Sequence, residues 1–294
     1  MTAVRRIGTA DLFECQRCRI VKIKNGKVDK KKLEELYCLK DYLTNEKRQR
    51  KKFSKLATIV VKKGNYSKVL DVGSGYGLFV QILANRISKN IKSSKNLGGS
   101  FSGNNNNRLS IDAVEPSQRP YFLPKDACVY KQTYERFLQS ANKKYDLVLM
   151  MDVLEHFDEP LKNLVRTKKI LDEKGILVIQ TPNYQSLIQR LCPGWSWWMV
   201  EDHRYLFSVK SIKDILKRAG YEIEFFRTYE DYYSFKKNLD GNFTSIENIF
   251  LRRTIKLIFF SCFIPLYFIF RPILWFFGYG GLIFLVVRPL YNNT

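Results

Sequence analysis

Residues 67–87 read SKVLDVGSGYGLFVQILANRI. A short apolar run reaches Asp71, glycines stand at 73, 75 and 77, and an apolar pattern at helical spacing starts at once. Few folds accommodate such a segment. Three alternating glycines behind an apolar run are best served by a strand, a tight turn and a helix in direct succession. In a dinucleotide fingerprint the third glycine would stand where this chain has Leu78, so hydride transfer is disfavoured.

The segments that follow keep the same rhythm. LSIDAVEPS, YDLVLMMDVLEH, GILVIQTPN and YEIEFFRTY are strand candidates, and PLKNLVRTKKIL and SVKSIKDILKRAG are helical patterns among them. Gly220 follows the second helix as its C-cap. The alternation implies an α/β fold in which a mostly parallel sheet is covered by helices on both faces. Glu115 ends the strand after the glycine turn, where a carboxylate can accept hydrogen bonds from both hydroxyls of a ribose. Its separation from the glycines exceeds the usual ~20 residues. The Ser/Asn/Gly-rich stretch SKNIKSSKNLGGSFSGNNNNR, read as a flexible insertion, accounts for the excess. The first sixty residues are polar and Lys-rich, with helical periods in KKLEELYCLKDYL and RKKFSKLATIVVK, and read as a cap.

Charge narrows the partners. Lys and Arg number 50 against 28 Asp and Glu, a net +22, which implies nucleic acid, anionic lipid headgroups or a phosphorylated substrate. Six cysteines, with no apolar run behind MTAVRRIGTADLF, favour a reducing cytoplasm over a secreted disulfide framework.

The glycine segment, Glu115 and the strand end in YDLVLMMDVLEHFDEP together resemble class I S-adenosylmethionine-dependent methyltransferases. From GILVIQTPN to YEIE the chain resembles the branch containing ubiquinone-biosynthesis and sugar or glycolipid O-methyltransferases. The likeness runs from about Leu56 to Thr228. It implies a Rossmann-like, doubly wound seven-stranded sheet with an antiparallel last strand, and S-adenosylmethionine as cofactor. Carried over residue by residue, the cofactor-binding positions are Asp71, Gly73, Gly75, Gly77, Glu115, Met151 and Asp152. The chain departs from the pattern where relatives place an acidic residue for the adenine amino group: Thr133 or Tyr134 stands there, and Glu135 reads as a solvated carboxylate at a helix start.

Methyl transfer to an acceptor hydroxyl requires loss of its proton. The two histidines, His156 and His203, fall in regions that border the acceptor pocket of the resembling fold. His156 is the first candidate for general base; His203 is the second, with Glu201 or Asp202 as polarising neighbours. A structural, hydrogen-bonded role stays open for each. Asp152, Glu155 and His156 would share one face of a helix beginning there, and such donors can hold a divalent ion, although no metal is expected. Cys15 and Cys18 match half of the four-cysteine zinc knuckle of the sugar-methylating relatives and, lacking a second pair, read as its vestige.

Leu257 to Phe277 suffices in length for a membrane span of about 20 residues. Pro265, Pro272 and Arg271 oppose one. GYGGLIFLVVRPL resembles the last strand of the sheet, which a span would leave on the far side. Residues 231–277 are therefore expected to be a hydrophobic helical insertion that dips into a monolayer and returns, with a buried helical pair or a dimer interface as the alternative. Thr244 and Glu247 form a capping box in this reading. Arg252, Arg253 and Lys256 meet lipid phosphates, while Phe259, Phe260 and Phe263 enter the acyl boundary. Trp195, Trp197 and Trp198 offer a second contact at headgroup level, or else a core cluster or an acceptor lid. The expected organisation is a cap over 1–55, a methyltransferase domain over 56–230, the insertion over 231–277, and a final strand and tail over 278–294. The expected function is O-methylation of a small-molecule or lipid-linked acceptor, such as a glycolipid sugar or quinone precursor, by a cytoplasmic enzyme peripherally associated with a surface of anionic lipids. A nucleic-acid methyltransferase and a non-catalytic membrane adaptor are the competing readings; the dispersed basic residues and the lack of a recognisable RNA-binding module disfavour nucleic acid.

Overall fold

The computed structural model describes residues 1–24, 38–96, 109–116 and 121–291. Three short strands, β1 (Thr2–Ile7), β2 (Ala10–Glu14) and β3 (Val21–Lys24), open the chain as an antiparallel meander. Ala10, Leu12, Val21 and Ile23 point inward and their neighbours outward, a period of two that the helical reading of this region overlooked. Residues 31–37 of the expected helical segment lie outside the described residues; the helices that follow are α1 (Leu39–Thr44) and α2 (Glu46–Val61). The boundary expected at residue 55 falls inside α2, which is continuous and buries Phe53, Leu56, Ala57 and Val60 in the main core.

The doubly wound part begins with β4 (Lys68–Val72) and α3 (Leu78–Asn96), the strand, turn and helix that the glycines predict. The helix continues through residues 88–96 of the stretch expected to be flexible, and 97–108 lie outside the described residues. There follow β5 (Ser110–Val114), β6 (Cys128–Tyr130), α4 (Tyr134–Ser140), β7 (Tyr145–Met151), α5 (Pro160–Ile170), β8 (Leu171–Pro182), α6 (Leu187–Leu191), β9 (Tyr205–Leu206), α7 (Val209–Arg218) and β10 (Tyr221–Tyr229). Helices α8 (Tyr232–Gly241) and α9 (Ile249–Phe276) lead into the last strand, β11 (Leu282–Pro289).

The main sheet has the order β10-β11-β8-β7-β4-β5-β6. β11 is antiparallel to both neighbours, and the pairs from β8 to β6 are parallel. The expected seven-stranded sheet with an antiparallel last strand is present. Successive residues of the central strands face opposite sides. Val148, Met150, Leu177 and Ile179 pack with Phe137, Leu164, Ile212 and Leu216 on one face; Leu147, Leu149, Ile176 and Val178 pack with Leu56 and Leu83 on the other. A smaller sheet, β1-β2-β3-β9, ties the N-terminal meander to the segment between α6 and α7.

The insertion is an antiparallel helical hairpin that shares a third core with the N-terminal sheet. Phe235 stacks on Tyr267 at 3.9 Å and faces Phe263, while Phe243 contacts Phe259 and Phe260. Leu12, Ile188, Trp195, Trp198 and Leu239 complete that core. Three expectations change here. Pro265 and Pro272 do not break α9, which runs unbroken for 28 residues, about 42 Å at 1.5 Å per residue. Both prolines lie on its exposed side, and packing of Phe263, Tyr267 and Leu274 opposite holds the flanking turns in line. The N-cap is Asn248, whose Oδ1 accepts from the Leu251 N–H at 3.0 Å, and the Thr244 hydroxyl donates to the Gly241 carbonyl instead of forming a box with Glu247. Phe259, Phe260 and Phe263 face the protein, so the outward face is made by other residues, among them Phe250, Leu257, Ile269, Phe276 and Phe277. Trp195 and Trp198 are buried and belong to the core.

Because Phe235 is the largest fully buried side chain contributed by α8, Phe235→Ala should cost about 3–5 kcal/mol of unfolding free energy in urea titrations. A loss below about 1 kcal/mol would mean that the hairpin is not docked as described.

Candidate active site at the carboxyl edge of the sheet

The carboxyl ends of β4, β5, β7, β8 and β10 converge on one edge, with β4 at the reversal of strand order, where doubly wound sheets bind ligands. The turn after β4 is held to β5: the Gly73 N–H donates to the Val114 carbonyl at 2.8 Å, and the Gly77 N–H closes the turn on the Ser74 carbonyl at 2.8 Å. Gly73, Gly75 and Gly77 all have positive φ, a conformation that L side chains rarely adopt. A Cβ at Gly73 would lie 2.6 Å from Val153, and one at Gly77 would lie 2.7 Å from Leu123; at Gly75 it would meet nothing within 4 Å. The outer two glycines are thus required by packing, whereas the middle one faces open space.

Glu115 closes this cradle. Its Oε2 accepts from the Gly75 N–H at 2.8 Å, and its own N–H donates to the Tyr130 carbonyl at 3.1 Å, so the carboxylate is buried at the rim. Asp71 lies beneath, where burial, reinforced by the charge of Glu115, pushes its carboxyl up to about 8. Across the cleft, Met151 ends β7 and Asp152 adopts φ 57°. Asp152 Oδ2 accepts from Gln180 Nε2 at 2.7 Å, and Gln180 Oε1 accepts from the Tyr229 hydroxyl, which links β7, β8 and β10 across their ends. Asp152 Oδ1 and Ser74 Oγ are buried without a partner among the described residues. Burial raises the Asp152 pKa, opposed by the ammonium of Lys52.

The structure brings the two histidines together. Leu154–His156 is one turn of 3-10 helix rather than an α-helix from Asp152, and the segment before β9 folds onto it, with the Arg204 N–H donating to the Glu155 carbonyl at 2.8 Å. The His156 and His203 rings meet edge to face at 4.9 Å. Asp202, expected as a polarising neighbour of His203, pairs with His156, at 3.3 Å from Nδ1, and its charge also acts on His203. Burial lowers the His156 pKa, but the Asp202 hydrogen bond and the charges of Glu155 and Asp202 outweigh it and raise the value to about 9. His203 goes the other way: burial first, then the neighbouring His156, depress it to about 3. Glu155 Oε2 accepts from the Thr181 hydroxyl at 2.9 Å; burial pushes its carboxyl up to about 8. Glu155, His156 and His203 each bring one donor atom within 4.8 Å of the others, so His203 takes the place that the spacing assigned to Asp152.

Other expected residues are used structurally. Thr133 caps α4 through the Arg136 N–H, the Tyr134 hydroxyl is buried against Thr167 Oγ1 at 2.8 Å, and Glu135 accepts from Asn163 Nδ2 at 2.6 Å instead of lying in solvent. Cys15 and Cys18 sit in the β2–β3 turn with free thiols, and no further cysteine joins them among the described residues. Sequence reasoning missed Tyr42 and Lys52. Tyr42, on α1, lies 4.9 Å from the Tyr76 ring of the glycine loop, and Lys52, on α2, lies within the field of Asp152 and Asp231. Burial lowers the Lys52 ammonium against the pull of those carboxylates. Their only signal was an aromatic and a cation at helical spacing in a segment read as a cap.

This geometry, a left-handed glycine turn, a rim carboxylate and an acidic strand end at the switch point, defines the cofactor cleft of a class I S-adenosylmethionine-dependent methyltransferase. A family model described as a methyltransferase domain matches residues 44–224, and the chain belongs to that family. Ubiquinone biosynthesis O-methyltransferase of Cereibacter sphaeroides is 24% identical over 160 residues, which cover 52% of this chain and 59% of that protein; the chain thus spans about six-tenths of the length of these curated relatives. Among solved structures, a SAM-dependent methyltransferase from Archaeoglobus fulgidus superposes with a TM-score of 0.50 at 18% identity, covering 84% of this chain and 98% of the other. The plantazolicin methyltransferase BamL, in complex with a triazolic desmethylPZN analog and SAH, gives 0.50 at 14% identity, with 88% and 90% covered. These two likenesses concern the fold.

S-adenosylmethionine, the cofactor of the family, fits the residues present. The open space at Gly75, the carboxylate of Glu115 and the unpartnered Ser74 Oγ and Asp152 Oδ1 provide room and polar partners along one cleft. Glu115→Ala should weaken binding of the cofactor or its demethylated product by about 1–3 kcal/mol in calorimetry, and an unchanged affinity would remove Glu115 from the site. Because the His156 pKa is raised above its unfolded value, its contribution to stability is present below about pH 6.5 and is lost as pH rises through about 9. In Asp202→Asn that value should fall toward or below 6.5 in an NMR titration; a histidine still titrating near 9 would contradict the pairing.

Proposed function

We infer that the enzyme methylates an oxygen of a hydrophobic, lipid-borne acceptor at a membrane surface. The observation that carries this reading is the position of the apolar hairpin. Two residues separate α8 from the end of β10, whose Tyr229 reaches Gln180 beside Asp152, and α9 then carries the exposed apolar face. The methyltransferase match supplies the reaction class, and the name of the curated relative favours a quinone precursor among such acceptors.

S-adenosylmethionine, when bound, supplies an electrophilic methyl group. The chain's own residues hold the acceptor in line and take its proton. His156 is suited to the second task, because its side chain is 26% exposed whereas His203 is buried at 2%. With Nδ1 held by Asp202, the proton passes to Nε2, and the imidazolium so formed is stabilised by Asp202 and Glu155. His203, uncharged at neutral pH, packs against the ring and fixes its orientation. Lys52 places its cation in the field of Asp152 and Asp231, and Tyr42 packs against Tyr76 of the glycine loop.

His156→Ala should lower turnover by roughly a hundredfold or more with cofactor affinity intact. Since the base must be deprotonated, the wild-type rate should climb with pH and level off near the His156 value of about 9. A flat profile or equal turnover would reject the role. Radiolabelled S-adenosylmethionine, supplied to membranes containing the protein, should leave label in the organic phase. Label confined to RNA would overturn the acceptor class.

A further inference from the structure

Outside the catalytic cleft, one flank of the helical hairpin carries a second concavity. Tyr232, Lys236 and Asp240 recur every fourth residue on α8 and so line one face; Arg253, Lys256, Leu257, Phe260, Ser261 and Ile264 do the same on α9. Between them lies an open groove of about 490 Å³. Its lining carries three cations against the single carboxylate of Asp240, which pairs with Lys256 at 2.7 Å. Among the described residues, neither Lys236 nor Arg253 has a carboxylate within ion-pair distance. Leu257, Phe260 and Ile264 supply its apolar wall, and Leu257, 69% exposed, also belongs to the outward face of α9.

We propose that this groove holds the phosphate-bearing headgroup of an anionic membrane lipid, whose acyl chains lie along the exposed face of α9.

Two features favour a lipid over a protein partner. The outward face is large and nearly free of groups that could specify a partner by hydrogen bonding: Phe250 is 82% exposed, Leu257 69%, Ile269 66%, Phe276 81% and Phe277 68%, within a helix whose mean hydropathy reaches 2.0. The cations stand beside that face, as in helices that lie in the membrane plane and meet phosphates at the headgroup level. Charge complementarity extends to the whole chain, at +22. A simple span is opposed by the chain's own anchors. Thr228 Oγ1 donates to the Trp275 carbonyl at 2.6 Å, and Asn183 Nδ2 donates to the Gly278 and Gly280 carbonyls at 2.8 and 2.7 Å, so the far end of α9 is fixed to the sheet from which α8 departs. The helix therefore lies on a surface with its groove side toward the headgroups.

This inference rests on the membrane-surface reading of the function, and the test separates the two. The full chain is mixed with vesicles of phosphatidylcholine alone or with about one-third phosphatidylglycerol, and bound protein is measured by co-sedimentation at fixed ionic strength. Binding should be at least tenfold tighter to the anionic vesicles. In the double variant Lys236→Glu, Arg253→Glu it should fall by on the order of 20-fold or more, at about 1 kcal/mol per cation near the surface. Cofactor affinity and circular dichroism should not change. Soluble glycerol phosphate at millimolar concentration should compete only weakly; strong competition would identify a free phosphate ligand and overturn the lipid assignment. Equal binding to both vesicles, a variant that binds as the wild type does, or a dimer in sedimentation velocity that covers α9 would each overturn the proposal as well. Anionic selectivity combined with label in RNA would keep the groove and sink the acceptor reading. Label in the organic phase without lipid selectivity would do the reverse.

Discussion

Everything at the carboxyl edge depends on the pairing of β11 between β8 and β10. Ile283, Phe284, Leu285, Val286 and Val287 are fully buried, and backbone pairing to both neighbours satisfies a strand that has no other access to partners. Withdrawing it would expose two strand edges and split both faces of the core. The chain is therefore obliged to return to the sheet after α9, whatever the apolar helix contacts in between. Asn183, just after β8, enforces that return by binding the carbonyls of Gly278 and Gly280 while its own N–H donates to Gly281. The same residues that end β8 beside the cleft also moor the hairpin.

Within the cleft, burial divides chemically similar groups into different charge states. Glu115 is fixed by a backbone N–H, whereas Asp71 behind it is pushed toward the neutral acid chiefly by burial and further by the neighbouring Glu115. The histidines are split more widely still. His156 gains a hydrogen-bonded carboxylate and retains solvent on one side; His203 is buried, and the charge of Asp202 does not offset that burial. Neighbouring imidazoles with opposed shifts give one group that can carry a proton and another that orients it.

The glycine turn, the parallel strands and the return of the last strand were legible from sequence because each rests on local pattern: apolar runs of strand length, helical spacing between them, and glycines where φ must be positive. The N-terminal meander was not. Its strands are four to six residues long, β1 is exposed except at Ile7, and the alternation is confined to the five residues of β2 and the four of β3. The prolines of α9 misled for a related reason. A proline removes one hydrogen bond locally, but whether the helix breaks depends on what packs against the turns on either side, here Phe235 on Tyr267. Likewise the i, i+3, i+4 spacing of Asp152, Glu155 and His156 presupposed a helix, and a left-handed Asp152 with a hydrogen bond to Gln180 replaced it.

By itself the sequence determined the order of elements, the glycine turn with its rim carboxylate, and the presence of an apolar segment too continuous to be an ordinary loop. These depend on residues close in the chain, where steric limits and periodicity act without knowledge of the remainder. Only the tertiary structure decided that Asp202 serves His156 rather than His203, that Tyr42 and Lys52 reach the cleft, and which face of α9 is left outward. Each of those outcomes is set by which distant surface arrives first to exclude water. Burial and Coulomb interactions fall off over a few ångströms of space, and no spacing along the chain encodes that distance.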